Sequence, residues 1–404
     1  MSKKGGVFVA TYFSFNDALI QAYTLPYVRQ IRKFIPKPFP IYLLTVEKDK
    51  NFIESIRDEK NRLASEGITL INLHYQKFGL GLLTWIPSFI FFIFIIGRKN
   101  IQTIHAWCTP GGLIGYMLSI LTGKRLILDS FEPHAEVMKE TKTWRESSLK
   151  FKTLFKFEKW MAKRASIHIC CTQDMKEYSL KKYGVLLKDN YVKPACVDLL
   201  LYPENYRKDK QLLLAEGLQD KIVCVYAGKF GGLYLSEEVF DFLSEAYQFW
   251  GDRFRILLLS NESSDIIQQW ADRSNIPNSI ILQKFVPHAE VPKYLGLADF
   301  GLAPYQPVPS RKYGAPIKVS EYWASGLPVV ITANIADDSK TIIENGIGAV
   351  LNGLNTTEYK KAVEAIDALL LQNYDLSVYS KIRYLVGKRR NYGIAAQVYQ
   401  NIYE

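Results

Sequence analysis

Short β-branched apolar runs alternate with longer helical stretches along this chain, and the alternation occurs twice over. In the first half the runs are residues 7–12, 41–46, 69–74, 101–106, 125–129 and 167–171; in the second they are 222–227, 255–259, 279–282, 300–303 and 329–332. They read as strands buried on both faces. Helical patterns separate most of them, including 17–32 and 52–64 in the first half and 236–249, 290–297 and 316–325 in the second. Strand–helix alternation at this spacing demands parallel sheets with helices on both faces. The fold class is therefore α/β, with two Rossmann-like domains in tandem. Length agrees, since 404 residues exceed one ordinary core and suit two domains of roughly 100–200 residues each.

Turn residues and charges interrupt the apolar rhythm across 194–220, which puts the first domain at residues 1–200 and the second at 201–388. The last segment, 389–404, follows the second sheet as an amphipathic helix and is expected to cross back onto the first domain. In open α/β sheets ligands sit beyond the carboxyl ends of the strands, so the gap between two facing domains is the default site.

A hydrophobic share of 48% and a charged share of 23% exclude disordered and fibrous chains. Lysine plus arginine number 51 against 40 acidic residues, a net charge of +11. That balance suits an anionic partner: a phosphorylated small molecule, an anionic membrane surface or nucleic acid. The positive charge is dispersed and no nucleic-acid module appears, so nucleic acid is not expected. The five cysteines show no paired spacing, which implies reduced thiols and a cytoplasmic location. The amino terminus reads as a first strand, not a signal peptide.

Two segments bear on membranes. Residues 82–96, LLTWIPSFIFFIFII, are apolar on every side but shorter than a spanning helix and contain Pro87. They form either a buried core helix or a helix whose outer face meets lipid. Residues 148–164, SLKFKTLFKFEKWMAKR, mix aromatics with lysines, as interfacial helices do and as a solvated helix with one packed face also does. Peripheral attachment to the inner face of the cell membrane is the resulting expectation.

The chemistry concentrates in residues 314–330, GAPIKVSEYWASGLPVV. Pro316 suits the opening of a helix, Gly326 the left-handed residue that closes it, and Pro328 the start of the next strand. Lys318 and Glu321, three apart, share a helix face. A helix amino terminus with an ammonium group favours phosphate, and a carboxylate one turn on can accept from two sugar hydroxyls. An ordinary surface lysine–glutamate pair is the alternative.

The run Pro316-x-Lys318-x-x-Glu321-Tyr322-x-Ala324-x-Gly326-x-Pro328 resembles the donor-binding helix of retaining GT-B glycosyltransferases of family 4. Residues 225–229 (VYAGK) resemble that family's first strand and loop of the carboxyl-terminal domain. Residues 285–295 and 298–304 resemble its base-binding region and following strand, and 194–198 (PACVD) the segment entering its linker. The four motifs stand in the right order, and the resemblance spans most of the chain. The resemblance implies two Rossmann-like domains facing each other across a cleft, acceptor on the first and nucleotide sugar on the second. It implies sugar transfer from a nucleotide-diphosphate-sugar such as a UDP-sugar, with retention of configuration and no metal or other cofactor. Donor contacts implied in this way are Lys229, Gly231, Phe285, Val286, Tyr313, Lys318 and Glu321. Two positions depart from the pattern. The family's second glutamate, eight residues before 321, is Tyr313, and its arginine–lysine pair six apart becomes Lys229 and Leu235.

In the first half, residues 128–136 (LDSFEPHAE) follow a strand and gather ionisable groups in one loop. Asp129, Glu132 and His134 are the candidates for orienting an acceptor hydroxyl or the donor sugar. The alternative is a solvated acidic loop with His134 capping a helix, and His105 reads as a satisfied core residue. The expected function is sugar transfer to a lipid-linked or surface-polysaccharide acceptor. A catalytically weak GT-B scaffold subunit and a nucleotide-sugar epimerase are the alternatives.

Overall fold

Apolar runs without alternation pair with one another as parallel strands, because a strand buried on both faces has no place for polar side chains. The computed structural model describes residues 5–49, 52, 56–76, 80–371 and 377–404. It divides into two compact units, one holding the described parts of 1–136, 144–194 and 392–404, the other 137–143 and the described parts of 195–391.

The first unit contains β1 (Gly6–Ala10), β2 (Ile41–Glu47), β3 (Ile68–His74), β4 (Ile101–Trp107), β5 (Arg125–Phe131), β6 (Ile167–Cys170) and β7 (Asn190–Val192). They form a parallel sheet in the order β3-β2-β1-β4-β5-β6-β7. The chain builds outward from β1 to β3, then returns to the other side of β1. Right-handed crossovers therefore place helices Leu25–Phe34 and Arg57–Ser65 on one face and Ile86–Arg98, Cys108–Thr122 and Leu149–Arg164 on the other. The terminal helix Tyr392–Tyr403 packs on Leu25–Phe34, with the Tyr27 ring edge-on to Tyr392 and Tyr399.

The second unit contains β8 (Ile222–Ala227), β9 (Phe254–Leu259), β10 (Ile281–Lys284), β11 (Phe300–Ala303), β12 (Val329–Thr332) and β13 (Gly348–Leu351), ordered β10-β9-β8-β11-β12-β13. One core packs Val319, Tyr322 and Trp323 with Ile382 and Val386; the other packs Val239, Phe240 and Leu243 with Val363 and Ile366.

Several local expectations shift. The strands β7 and β13 are not among the expected runs; both are short edge strands with one neighbour and partial burial. Strand 279–282 moves to Ile281–Lys284 because a 3-10 turn after Pro277 occupies Asn278–Ile280. Helix 17–32 opens as a wide π turn, Leu19–Thr24, before the α-helix Leu25–Phe34. Pro26 has no N–H to donate there, so the regular ladder cannot run through it. Within 52–64 the helix is Arg57–Ser65, and residues 53–55 lie outside the described residues. The apolar run 82–96 becomes a 3-10 turn, Leu80–Trp85, and the helix Ile86–Arg98, which buries Phe89, Phe92, Ile95 and Ile96. Among the described residues no helix is long and apolar enough to cross a membrane.

Glu158, on helix Leu149–Arg164, is fully buried, and it accepts from the Ala135 N–H at 2.9 Å and the Tyr183 hydroxyl at 2.9 Å. Burial pushes its carboxyl up to about 8, and nearby Glu132 and Glu136 add to the rise. The folded state thus holds a proton there that the unfolded chain has released near its ordinary value of 4.5. Its contribution to stability is complete below that value and is lost as pH rises through about 8. Glu158→Gln should flatten the decline in melting temperature between pH 4.5 and about 8. An unchanged pH profile by calorimetry would contradict the assignment.

Candidate functional site

The second sheet reverses its direction of growth between β8 and β11, the switch point at which open α/β sheets characteristically bind ligands. The loop after β8 holds Gly228 at φ +126° and Gly231 at φ +74°. A Cβ on Gly228 would lie 3.4 Å from the Lys318 Nζ, so the bare backbone lets the ammonium sit against the loop. Lys318 occupies the first turn of helix Ile317–Ala324; Pro316 is its cap rather than its first residue. The expected Gly326 closure holds, at φ +74°.

Tyr322 fixes this helix. Its hydroxyl accepts from the Ala227 N–H at 2.9 Å and donates to the Leu302 carbonyl at 3.2 Å, tying the helix to β8 and β11. Its ring lies against Gly301, where a Cβ would come within 2.5 Å of it.

Lys318 is only 6% exposed, and its Nζ finds no hydrogen-bond partner among the described residues. It lies 4.1 Å from the Tyr226 ring centroid, 3.9 Å from that of Tyr234 and 5.9 Å from that of Tyr305. These faces stabilise a cation only in part. Burial lowers the ammonium to about 7, with Glu321 opposing. Arg311 is a second buried cation. It is 4% exposed, its Nε and Nη1 have no hydrogen-bond partner among the described residues, and its guanidinium carbon is 5.6 Å from the Tyr305 ring. Desolvated cations without partners are costly, and an anion relieves that cost.

Glu321, one turn beyond Lys318, accepts from the His288 Nε2 at 3.1 Å. That hydrogen bond raises the imidazole above its ordinary value against the opposing effect of burial. His288 follows Phe285, Val286 and Pro287 in the chain. Phe285 is 77% exposed and Val286 is packed partly against the core. Lys229 is exposed, and its carbonyl accepts from the Tyr226 hydroxyl. Tyr313 is half-buried, with the Lys312 ammonium 4.9 Å from its ring centroid. The structure thus gathers Lys318 with the glycine loop, and Glu321 with the segment beginning at Phe285. Sequence reasoning missed Tyr226, Tyr234, Tyr305, Arg311 and His288. His288 alone carried a local signal, as a histidine inside the segment resembling a base-binding region.

The first-unit candidates separate by burial. Asp129, expected to face a substrate, is instead completely enclosed. Its carboxylate meets Lys193 at 3.1 Å, His105 Nε2 at 3.0 Å, the Tyr399 hydroxyl at 2.9 Å and Ser130 at 3.1 Å. Burial opposes its ionisation, but the Lys193 ammonium and the hydrogen bonds from His105 and Tyr399 hold it at about 2. His105 is buried beside it, as expected, and the Tyr403 hydroxyl lies 2.6 Å from its Nδ1. This cluster secures the terminal helix. Glu132 and His134 remain half-buried, with the His134 ring edge-on to Trp144.

Residues 251–386 match the family model described as Glucosyltransferase 3-like, C-terminal domain. No curated protein sequence matches the chain significantly. Among solved structures, sucrose-phosphate synthase from Thermosynechococcus elongatus superposes with a TM-score of 0.72 at 15% identity, over 99% of this chain and 98% of that one. Anabaena HepE in complex with UDP-glucose gives 0.71 at 14% identity, over 98% of each chain. WaaG, a glycosyltransferase involved in lipopolysaccharide biosynthesis, gives 0.69 at 12%, over 98% of this chain and 99% of that one. The chain has the α/β GT-B fold, in agreement with the resemblance read from its motifs.

Lys318→Met replaces an unpaired buried ammonium by an apolar chain of similar length. It should stabilise the ligand-free protein by about 1–3 kcal/mol in denaturant titrations. The gain should be full at and below pH 7 and fade toward the ordinary lysine range, because the folded group titrates at about 7. A less stable variant would show that the ammonium is satisfied where it lies.

Proposed function

We propose that the chain is a retaining glycosyltransferase that moves a sugar from a UDP-sugar to a lipid-linked or surface-polysaccharide acceptor, without a metal ion. The observation that carries this reading is the Lys318 ammonium, buried without a hydrogen-bond partner among the described residues, at the amino end of a helix and one turn from Glu321. Backbone N–H groups and the ammonium converge where a diphosphate would bind and where leaving-group charge would build. Gly228 and Gly231 allow the diphosphate to approach, and exposed Lys229 supplies a second cation. In this reading Glu321, which accepts from His288, takes the ribose diol, and Phe285 and Val286 lie beside the base. Tyr313 flanks the sugar. Because Asp129 is enclosed, acceptor-side roles fall to Glu132 and His134. The UDP-glucose complex of HepE and the glycosyltransferase family model support the donor class. Among the described residues no three His, Cys, Asp or Glu side chains cluster as metal ligands, and no disulfide joins the cysteines. Tyr313 in place of a glutamate favours a second reading, a GT-B scaffold that binds donor without turnover.

The deciding experiment incubates the protein with UDP-sugars and a membrane extract and measures UDP release. Release supports the enzyme, whereas binding without release selects the scaffold. Glu321→Ala should lower donor binding or turnover at least about tenfold while leaving the fold intact. Chelator should leave activity unchanged; a loss restored by magnesium would contradict the metal-free reading. Affinity for a UDP-sugar, whose diphosphate does not titrate near neutrality, should be constant below pH 7. Above it affinity should fall by up to about tenfold per unit, because binding then requires Lys318 to take up a proton. Calorimetric titration of Lys318→Met should show weak binding without that slope.

A further inference from the structure

The face of the first sheet that carries helices Ile86–Arg98, Cys108–Thr122 and Leu149–Arg164 ends in an outer surface of unusual chemistry. The middle helix packs against both others, so the three form one layer. Their inner sides meet the sheet, for example Phe92 against Phe8. Their outer sides carry large apolar groups. On the first helix Ile90 is 62% exposed, Phe91 53% and Phe94 57%. On the second, Met117, Ile120 and Leu121 recur at helical spacing and are each about half exposed. The third presents lysines 150, 152, 156, 159 and 163, all exposed, with the Lys156 ammonium 4.9 Å from the ring centroid of partly exposed Trp160. The three helices contain one carboxylate, Glu158, and it is fully buried.

We propose that this layer is a docking face for an anionic lipid bilayer, with the Ile90–Phe91–Phe94 ridge and the Met117–Ile120–Leu121 stripe entering the acyl boundary and the lysine row lying among headgroups. Charge chooses the occupant. A second copy docked through the same face would bring two lysine rows together, whereas acidic headgroups neutralise them. Helix Ile86–Arg98 has 13 residues, too few to span a bilayer, and its buried side already belongs to the sheet, so the contact is interfacial. The inference is independent of the donor site, which lies on the other unit, and the two can fail separately.

The test is co-sedimentation of the full chain with phosphatidylcholine vesicles, with and without phosphatidylglycerol, at low and high salt. Binding is expected to the anionic vesicles and to weaken with salt. Phe91→Ser/Phe94→Ser and Lys156→Glu/Lys159→Glu/Lys163→Glu should each reduce it at least about tenfold, with melting temperature and UDP-sugar affinity unchanged. A chain that stays in the supernatant, or variants that bind as the parent does, would overturn the assignment. So would a dimer on gel filtration that Phe91→Ser/Phe94→Ser dissolves, which would make the face a protein interface. Loss of UDP-sugar binding with intact vesicle binding would leave the face standing and remove the donor reading instead.

Discussion

At the centre of the second unit's candidate site, a lysine ammonium enclosed by tyrosine rings finds no acceptor among the described residues. The rings of Tyr226 and Tyr234 lie about 4 Å from the Lys318 Nζ and offer quadrupole attraction, which falls well short of water or a carboxylate. The arrangement is held in place from several directions. Gly301 leaves room for the Tyr322 ring, the Tyr322 hydroxyl joins the helix to two central strands, and Gly228 leaves room for the ammonium itself. The ammonium is thus desolvated without a compensating hydrogen bond among the described residues, at a cost to stability.

The first unit buries charge in the opposite manner. Asp129 and Lys193 are both wholly enclosed, yet the pair is surrounded by His105, Tyr399, Ser130 and the Tyr23 and Tyr27 rings. Breaking a buried pair of this kind costs about 3–5 kcal/mol, so its members act as a fastener rather than as reactive groups. The fastener has a clear task. Tyr399 and Tyr403 belong to the terminal helix, and their hydroxyls reach the Asp129–His105 pair from a segment far away in sequence. A loop rich in ionisable residues thus turns out to divide its labour, with Asp129 directed inward and Glu132 and His134 left partly accessible.

Helix placement follows from the order in which each sheet grows. In the first unit the three crossovers after β3 all run the same way, so their helices share a face and their outer surfaces become one surface. Phe89, Phe92, Ile95 and Ile96 are consumed by packing, while Ile90, Phe91 and Phe94 are not. Apolar character on every side of this helix thus supplies a packed core on one side and leaves apolar side chains exposed on the other.

Local chemistry determined the α/β class, the central strands, the glycine and proline punctuation around helix Ile317–Ala324, and the pairing of Lys318 with Glu321 along one helix face. Each of these depends on residues close together in the chain. The strands β7 and β13 and the π turn before Pro26 escaped because edge pairing and a missing donor act through neighbours that no periodicity encodes. Only the tertiary structure brought Tyr226, Tyr234 and Tyr305 to Lys318, put Arg311 beside the Tyr305 ring and set His288 against Glu321. It also decided that Asp129 is sealed while Phe91 and Phe94 are open to solvent. Burial belongs to the sheet as a whole, and a side chain's surroundings are set by strands and helices that lie far from it in sequence.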